Sequence, residues 1–210
     1  VILSRNHILH NQTLRQHGIR TLTISTESIN DALQMMHDLS FIVGREKVAE
    51  ANEKELLKDL NAMANRYKDV PRKKVLISFY HEMVPFEEVL AVGGANYIDE
   101  VVRTAGGLNV VAAKNIDGGI GVKLMSAQIA VMHPDVVIDL LPADETSDEQ
   151  KAAIEAQWRQ LVGDKARIYV VHEPYLGVPG TRIPLTIERM AAWIHGTVAT
   201  RPSAATRSAD

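Results

Sequence analysis

The sequence predicts an α/β protein with a parallel central sheet. From residue 75 onward, apolar runs of strand length alternate with segments of helical periodicity, which is the pattern of repeated strand–helix–strand units. A longer helical segment at residues 45–67 comes before them, with Leu56, Met63 and Tyr67 along one stripe. The chain has 210 residues, of which 46% are hydrophobic and 23% charged, and it is large enough to bury a substantial core.

Composition excludes several functional classes. The formal net charge of -3 gives no reason to expect a nucleic-acid partner, because such a partner requires a basic surface. The sequence contains no cysteine, which excludes disulfides, thiol catalysis and zinc–thiolate sites. No apolar run reaches the roughly 18 residues of a membrane span. The chain opens Val-Ile-Leu-Ser, without a signal peptide or an initiator Met.

The first part of the chain predicts short elements that precede the long helix. They are a strand end at residues 1–3, a helix at 6–16, a strand at 19–24 and a helix at 28–38. Gly18 is a helix stop, and Ser28 with Asp31 has the spacing of a capping pair. Pro71 ends the long helix, since proline cannot continue the helical hydrogen bonding.

The stretch from residue 93 to residue 111 organises the second part. An apolar stripe of Ile98, Val101 and Val102 predicts a helix, and acidic residues in its first turn suit the positive end of the helix dipole. Gly106 then supplies the left-handed residue that ends a helix at low cost. The stretch is therefore a glycine-rich loop, an amphipathic helix, a glycine stop and a short strand.

The rest of the chain continues the alternation. The predicted strands lie at residues 75–80, 108–111, 136–141 and 168–171, and the predicted helices at 126–132, 147–162 and 187–194. A loop covers residues 174–184, and Gly196 stops the last helix. The final residues are polar and predict a disordered tail.

Two predicted strands end with the same dipeptide. His81-Glu82 follows the first strand of the sheet and His172-Glu173 follows the fourth. Because ligands bind beyond the carboxyl ends of parallel strands, these pairs are candidates for a divalent-metal site or for acid–base chemistry. The alternative is that they are solvated loop residues or helix caps. The His-Glu-x-x-His signature of metalloproteases is absent at both places.

Three tyrosines, Tyr80, Tyr97 and Tyr175, are expected at the same edge of the sheet. An aromatic ring with a polar group suits a large, flat or apolar ligand, although such rings also pack on protein surfaces. No Gly-x-Ser-x-Gly nucleophile elbow occurs. The sequence contains no convincing set of catalytic residues and predicts no cofactor, and the two His-Glu pairs leave a metal site open as the alternative.

Three motifs, taken in order, resemble a known family. They are Ala-Gly-Gly-Leu-Asn-Val at residues 105–110, His-Pro-Asp-Val-Val-Ile at 133–138, and Pro-Gly-Thr-Arg-Ile at 179–183 before a closing helix. Their order and spacing resemble the C-terminal lobe of class III periplasmic substrate-binding proteins, which deliver cobalamin, ferric siderophores or haem to ABC importers. The resemblance implies two Rossmann-like lobes joined by a long spine helix.

The resemblance also implies a domain division. Residues 1–40 are the remainder of an N-terminal α/β lobe, 41–70 the interdomain spine helix, 71–198 the C-terminal α/β lobe and 199–210 a disordered tail. In this family about one further half-lobe comes before the position of residue 1, so the N-terminal lobe is expected to be incomplete. The glutamates that dock these receptors onto a permease align near His10 and Gly177, so they are not evident in this chain.

The implied function is extracytoplasmic capture of an iron–siderophore, corrinoid or haem for an ABC permease by a monomeric, periplasmic, non-enzymatic protein. The implied ligand contacts are Ser4, Arg5 and Asn6 from the N-terminal lobe, and Tyr80, His81, Glu82, Tyr97, Glu173, Tyr175 and Arg182 from the C-terminal lobe. Neither membrane insertion nor a nucleic-acid partner is expected. The alternative is a metal-binding α/β protein or metal-dependent enzyme that uses the two His-Glu pairs.

Overall fold

The computed structural model describes residues 2–4, 8–82, 85–113, 121–141, 146–173 and 175–196. The expected ligand residues Arg5 and Asn6 and the expected disordered tail at 199–210 lie outside these ranges. In chain order the elements are β1 (Ile2–Ser4), α1 (Ile8–Gln16), β2 (Leu22–Ile24), α2 (Ile29–Val43), α3 (Glu46–Tyr67), β3 (Lys73–His81), β4 (Glu88–Val92), α4 (Tyr97–Thr104), β5 (Gly107–Asn109), β6 (Gly121–Met125), α5 (Ser126–Ala130), β7 (Val136–Leu140), α6 (Asp148–Val162), β8 (Arg167–Val171) and α7 (Ile183–His195).

A six-stranded mixed sheet forms the centre of the molecule. Its strand order is β6-β4-β3-β7-β8, and β5 pairs with the beginning of β3. The pairs β3–β5, β3–β7 and β7–β8 are parallel, as the alternation of strands and helices predicts. The expectation of an all-parallel sheet is wrong for β4, which runs antiparallel to both β3 and β6. The connection from β3 to β4 is too short for the crossover that a parallel neighbour requires.

A hairpin of two helices precedes the sheet. The Ser28 hydroxyl accepts a hydrogen bond from the Asp31 N–H at 2.9 Å and so caps α2, as its spacing predicts. The helix continues to Val43, past the predicted end at residue 38, because the first left-handed residue is Gly44 with φ of 65°. The predicted long helix is confirmed as α3. The strands β1 and β2 form a separate parallel pair.

Two apolar clusters cover the two faces of the sheet. Val75 and Ile77 of β3 belong to the cluster that α2, α3, α4 and α7 share, whereas Leu76 belongs to the cluster under α5 and α6. This alternation follows from the two-residue period of a strand. Trp158 of α6 and Met190 of α7 are buried on opposite faces. Within the described residues, no helix is both long enough and apolar enough to cross a bilayer.

Candidate functional site

The parallel strands β3, β7 and β8 end at one edge of the sheet. Their register runs from Ser78 opposite Asp139 to Leu140 opposite Val171, which places the residues after β3 and after β8 at this same edge. Tyr80 and the His81-Glu82 and His172-Glu173 pairs therefore lie where parallel-sheet proteins bind ligands. The sequence-based prediction of this edge agrees with the strand register.

His81 is turned into the protein rather than toward a ligand. Its side chain is only 5% exposed, and its Nε2 lies 2.8 Å from Oδ2 of Asp139, whose side chain is 1% exposed. Its Nδ1 lies 2.8 Å from the carbonyl oxygen of Glu82. Both ring nitrogens thus have partners within the protein, and His81 has no nitrogen left to bind a metal ion or ligand.

Asp139 is a site residue that the sequence analysis did not single out. Its Oδ2 accepts a second hydrogen bond from Nε1 of Trp158 at 2.7 Å, while its Oδ1 is buried without a partner among the described residues. The rings of His81 and Phe86 lie 4.6 Å apart, and those of Phe86 and Trp158 5.0 Å apart. The signal was an aspartate inside the apolar run at 136–141, because a buried carboxylate requires a partner.

The environment of His81 favours its charged form. Burial lowers the pKa of His81, but the hydrogen bond to Asp139, the negative charge of Asp139 and the bond to the Glu82 backbone together outweigh it and raise this pKa above its usual value. The arrangement is therefore a histidine–carboxylate pair beside aromatic rings, in which the charged form of His81 is favoured.

The connection after β8 brings together a second group of predicted residues. Burial raises the pKa of Tyr175, and the charge of Glu173 and a hydrogen bond to it raise this pKa further, whereas Arg189 and Arg182 lower it by less. Arg189 donates to Oε1 of Glu173 from both Nε (3.1 Å) and Nη2 (2.7 Å). Its guanidinium also lies 5.4 Å from the centre of the Trp193 ring. Glu173, Tyr175 and Arg182 thus lie in one neighbourhood, with Arg189 as an unpredicted member.

The tyrosines differ in their access to solvent. Tyr80 is 59% exposed at the end of β3, whereas Tyr97 is 4% exposed in the core cluster at the start of α4. Burial raises the pKa of Tyr97, and the nearby Thr186 hydroxyl lowers it by less without reaching hydrogen-bond geometry. Tyr80 and Tyr175 therefore have surface to offer a ligand, and Tyr97 has very little.

The alternative of a metal site finds no support in this geometry. His81 is occupied by Asp139 and Glu82, and Glu173 is paired with Arg189. His172 Nδ1 lies 3.1 Å from the carbonyl oxygen of Leu141. Over the residues that the structure describes, no group of three His, Asp or Glu side chains is arranged to hold a metal ion.

Comparison with known proteins identifies the fold. No protein-family model matches the sequence, and no curated protein matches it. An ABC transporter substrate-binding protein from Listeria monocytogenes matches with a TM-score of 0.76 and 16% identity, over 93% of this chain and 76% of that one. A periplasmic heme-binding protein from Pseudomonas aeruginosa matches with a TM-score of 0.74 and 21% identity, over 94% and 72% of the two chains.

A third solved structure extends the comparison. The periplasmic vitamin B12-binding protein of Vibrio cholerae matches with a TM-score of 0.73 and 14% identity, over 95% of this chain and 74% of that one. At these identities the likeness shows the fold alone. The chain therefore has the α/β fold of periplasmic substrate-binding proteins, and the predicted fold class is confirmed.

Proposed function

We propose that this chain is the substrate-binding protein of an ABC importer, and that it captures a ferric siderophore, a corrinoid or haem between two lobes. The observation that carries the proposal is the fold likeness, over at least 93% of the chain, to an ABC transporter substrate-binding protein and to proteins named for binding heme and vitamin B12. The edge of the sheet supports it, because exposed aromatic and charged groups gather there and the described residues form no catalytic constellation. Binding and delivery require no enzymatic step.

The proposed ligand contacts of the C-terminal lobe follow from exposure. Tyr80, Glu82 and Arg182 are exposed at the edge of the sheet, and Tyr175 lies beside them with its phenol against Glu173. A tyrosine face packs against a flat or apolar ligand surface, and an arginine binds a carboxylate or other oxyanion in a bidentate way. Because His81 and Tyr97 are enclosed, their role in this proposal is to support the contact surface.

The N-terminal side of the site is proposed from the family pattern. Ser4 is the last residue of β1, at the carboxyl end of a parallel strand, and Arg5 and Asn6 follow it in the sequence. In this proposal residues 1–40 belong to the N-terminal lobe, 41–70 to the spine helix and 71–198 to the C-terminal lobe. The protein acts as a monomer outside the cytoplasm and presents its closed form to a permease.

A binding titration tests the proposal. Tryptophan fluorescence and thermal shift are followed against haemin, cyanocobalamin, ferric siderophores and free divalent metal ions, with absorbance controls for the coloured ligands. We expect saturation by one chelate at micromolar or lower concentration, without chemical change of the chelate. A response to free metal ions alone, or turnover of the chelate, would contradict the proposal.

A substitution locates the site. If the ligand is anionic, Arg182→Ala should weaken its binding by about tenfold, since a lost charge-assisted contact is worth about 1.4 kcal/mol. Lys54→Ala, which removes an exposed cation from α3, is the matched control and should bind as the unmodified chain does. Equal loss in both variants would show that long-range charge, rather than a contact by Arg182, accounts for the effect.

A further inference from the structure

We infer that His81 is a positioning residue. Its imidazolium ring is held between Asp139 and the Glu82 carbonyl oxygen, and these two contacts, called the anchor below, fix the end of β3 and the beginning of the β3–β4 connection. The anchor weakens as the pH rises. The inference about His81 itself needs no ligand. Its extension to ligand affinity rests on the proposed function, because Tyr80 is one of the proposed contacts.

The geometry requires two donors on one ring. Nε2 faces a carboxylate oxygen and Nδ1 faces a carbonyl oxygen, each at 2.8 Å, and with Asp139 ionised both of these oxygens can only accept hydrogen bonds. A neutral imidazole carries one N–H, so one of the two contacts would then bring two lone pairs together. Only the imidazolium satisfies both contacts of His81.

Among the residues that the structure describes, Asp139 is the opposing charge that faces the His81 ring. From β7, Asp139 faces it; from α6, the uncharged Trp158 ring lies edge-on at 6.4 Å; from the β3–β4 connection, the Phe86 ring lies at 4.6 Å. The neighbouring Glu82 contributes its backbone carbonyl, and its side chain is exposed. Because Trp158 donates to the same Oδ2 of Asp139, the position of the carboxylate does not depend on His81 alone.

The anchor lies at a weak point of the sheet. The β3–β4 ladder is interrupted between Ser78 and Tyr80 and then resumes with two pairs, Tyr80 opposite Leu90 and His81 opposite Val89. A bulge of this kind loosens the ladder locally. His81 therefore holds the last pairs of β3 to β7 and α6 through its side chain, and the exposed Tyr80 lies next to it in the chain.

The direction of the pH dependence follows from linkage. The pKa of His81 is raised in the folded protein, so the pair contributes its full stabilisation below about 6.5, the value for an exposed histidine. The contribution is lost as the pH rises through the folded-state value above 6.5. Mildly alkaline conditions should therefore release one of the two contacts and loosen the end of β3.

Two measurements on the full chain test the anchor. Thermal unfolding is followed from pH 5 to pH 9 for the unmodified chain, His81→Gln and the control His37→Gln, whose side chain is largely exposed. At pH 6 we expect His81→Gln to lower the Tm by on the order of 10 °C, since breaking a buried ion pair strands the remaining charge. The Tm difference between the unmodified chain and His81→Gln should narrow toward pH 9. The Tm of His37→Gln should follow that of the unmodified chain at every pH.

A spectroscopic measurement does not depend on how well a variant folds. Ring ¹⁵N shifts of His81 in the unmodified chain should show both nitrogens protonated at pH 6, with a titration midpoint above 6.5. The indole N–H resonance of Trp158 should shift with the same midpoint, because it donates to Asp139. A neutral His81 ring at pH 6, or a Tm difference between the unmodified chain and His81→Gln that does not change with pH, would overturn the inference.

A ligand measurement separates this inference from the proposed function. Binding of haemin, cyanocobalamin and ferric desferrioxamine B is measured at pH 6 and pH 8.5 in the unmodified chain and in His81→Gln. Where one of them binds, affinity should fall severalfold at pH 8.5 in the unmodified chain and stay nearly constant in the variant. The same fall in both proteins would overturn the extension to affinity. Failure of all three to bind, with the pH-dependent Tm gap present, would count against the proposed function and leave the anchor supported.

Discussion

At the end of α4, Gly106 occupies a position that a larger residue cannot share. Its φ is 81°, and a Cβ built there would lie 2.9 Å from Nε2 of His195 and 3.2 Å from Cβ of Tyr67. The His195 ring stacks on Tyr67 and contacts the carbonyl oxygen of Ala105 at 2.9 Å, so it cannot move away freely. The glycine is required for conformation and for space.

We expect Gly106→Ala to destabilise the protein by roughly 2–4 kcal/mol, which combines the left-handed penalty with overpacking. Chemical denaturation of the two proteins measures this difference. Gly180→Ala is the control, because a Cβ at that position meets no atom within 4 Å, and its effect should stay within about 0.5 kcal/mol. Comparable losses in both variants would refute the role assigned to Gly106.

At the element scale, the buried amide of Asn109 connects the glycine turn to α4, beside the Asn96 amide that caps this helix. Nδ2 of Asn109 donates to the carbonyl oxygens of Val92 and Gly93 and to Oδ1 of Asp99, at 2.9–3.2 Å. Its Oδ1 accepts from the N–H of Val111 at 3.0 Å. One side chain thus connects the end of β4, the first turn of α4 and the end of β5.

Replacing this amide should loosen all three elements together. We expect Asn109→Ala to cost about 3 kcal/mol, because several buried polar groups lose their partner at once. Asn61→Ala, at an exposed position of α3, should be neutral or slightly stabilising, since alanine is the better helix former. Equilibrium unfolding in urea compares them. An Asn109→Ala protein as stable as the control would show that the network carries little net energy.

The elements that sequence predicts well are those with local signals. The helices at 45–67 and 147–162 are confirmed as α3 and α6, because apolar periodicity over several turns and a capping residue or proline mark their extent. The strands β4 and β6 were not predicted. Their length is not the reason, since the predicted strands β7 and β8 also have five residues; the pairing of β4 and β6 depends on partners distant in the chain, which no local pattern reveals.

The candidate site can likewise be predicted from the sequence only where the signal is local. That Tyr80 and the two His-Glu pairs share one edge follows from strand ends alone. The partner of His81 does not, because Asp139 is 58 residues away and only the β3–β7 register brings the two together. The enclosure of Tyr97 was equally hidden, since its position at a helix start does not reveal that α7 covers it.

At the scale of the whole molecule, α2 is tied to α4 by a contact between residues that are far apart in the sequence. The N–H of Ile29, the first residue of α2, donates to Oε2 of Glu100 at 2.7 Å across 71 residues of sequence. The carboxylate thus lies at the positive end of α2, where the helix dipole favours it. Beside it, a recess of about 450 Å³ separates α2, α3 and α4, with Lys68, Arg72 and Arg103 on its walls. The helices α2, α3, α4 and α7 otherwise share one apolar cluster.

This contact predicts a loss of protection that is local to α2. Glu100→Ala should cost about 1–2 kcal/mol, since it removes a charge-assisted hydrogen bond beside an open recess that cannot collapse to replace it. Amide hydrogen exchange should accelerate in the first turn of α2 before it does so in β3 or β7, whose bonds are buried. Glu50→Ala, which removes an exposed carboxylate from α3, should leave both stability and exchange nearly unchanged. Uniform acceleration across α2 and the sheet in Glu100→Ala would mean that the whole molecule opens as one unit and that this contact does not hold α2 separately.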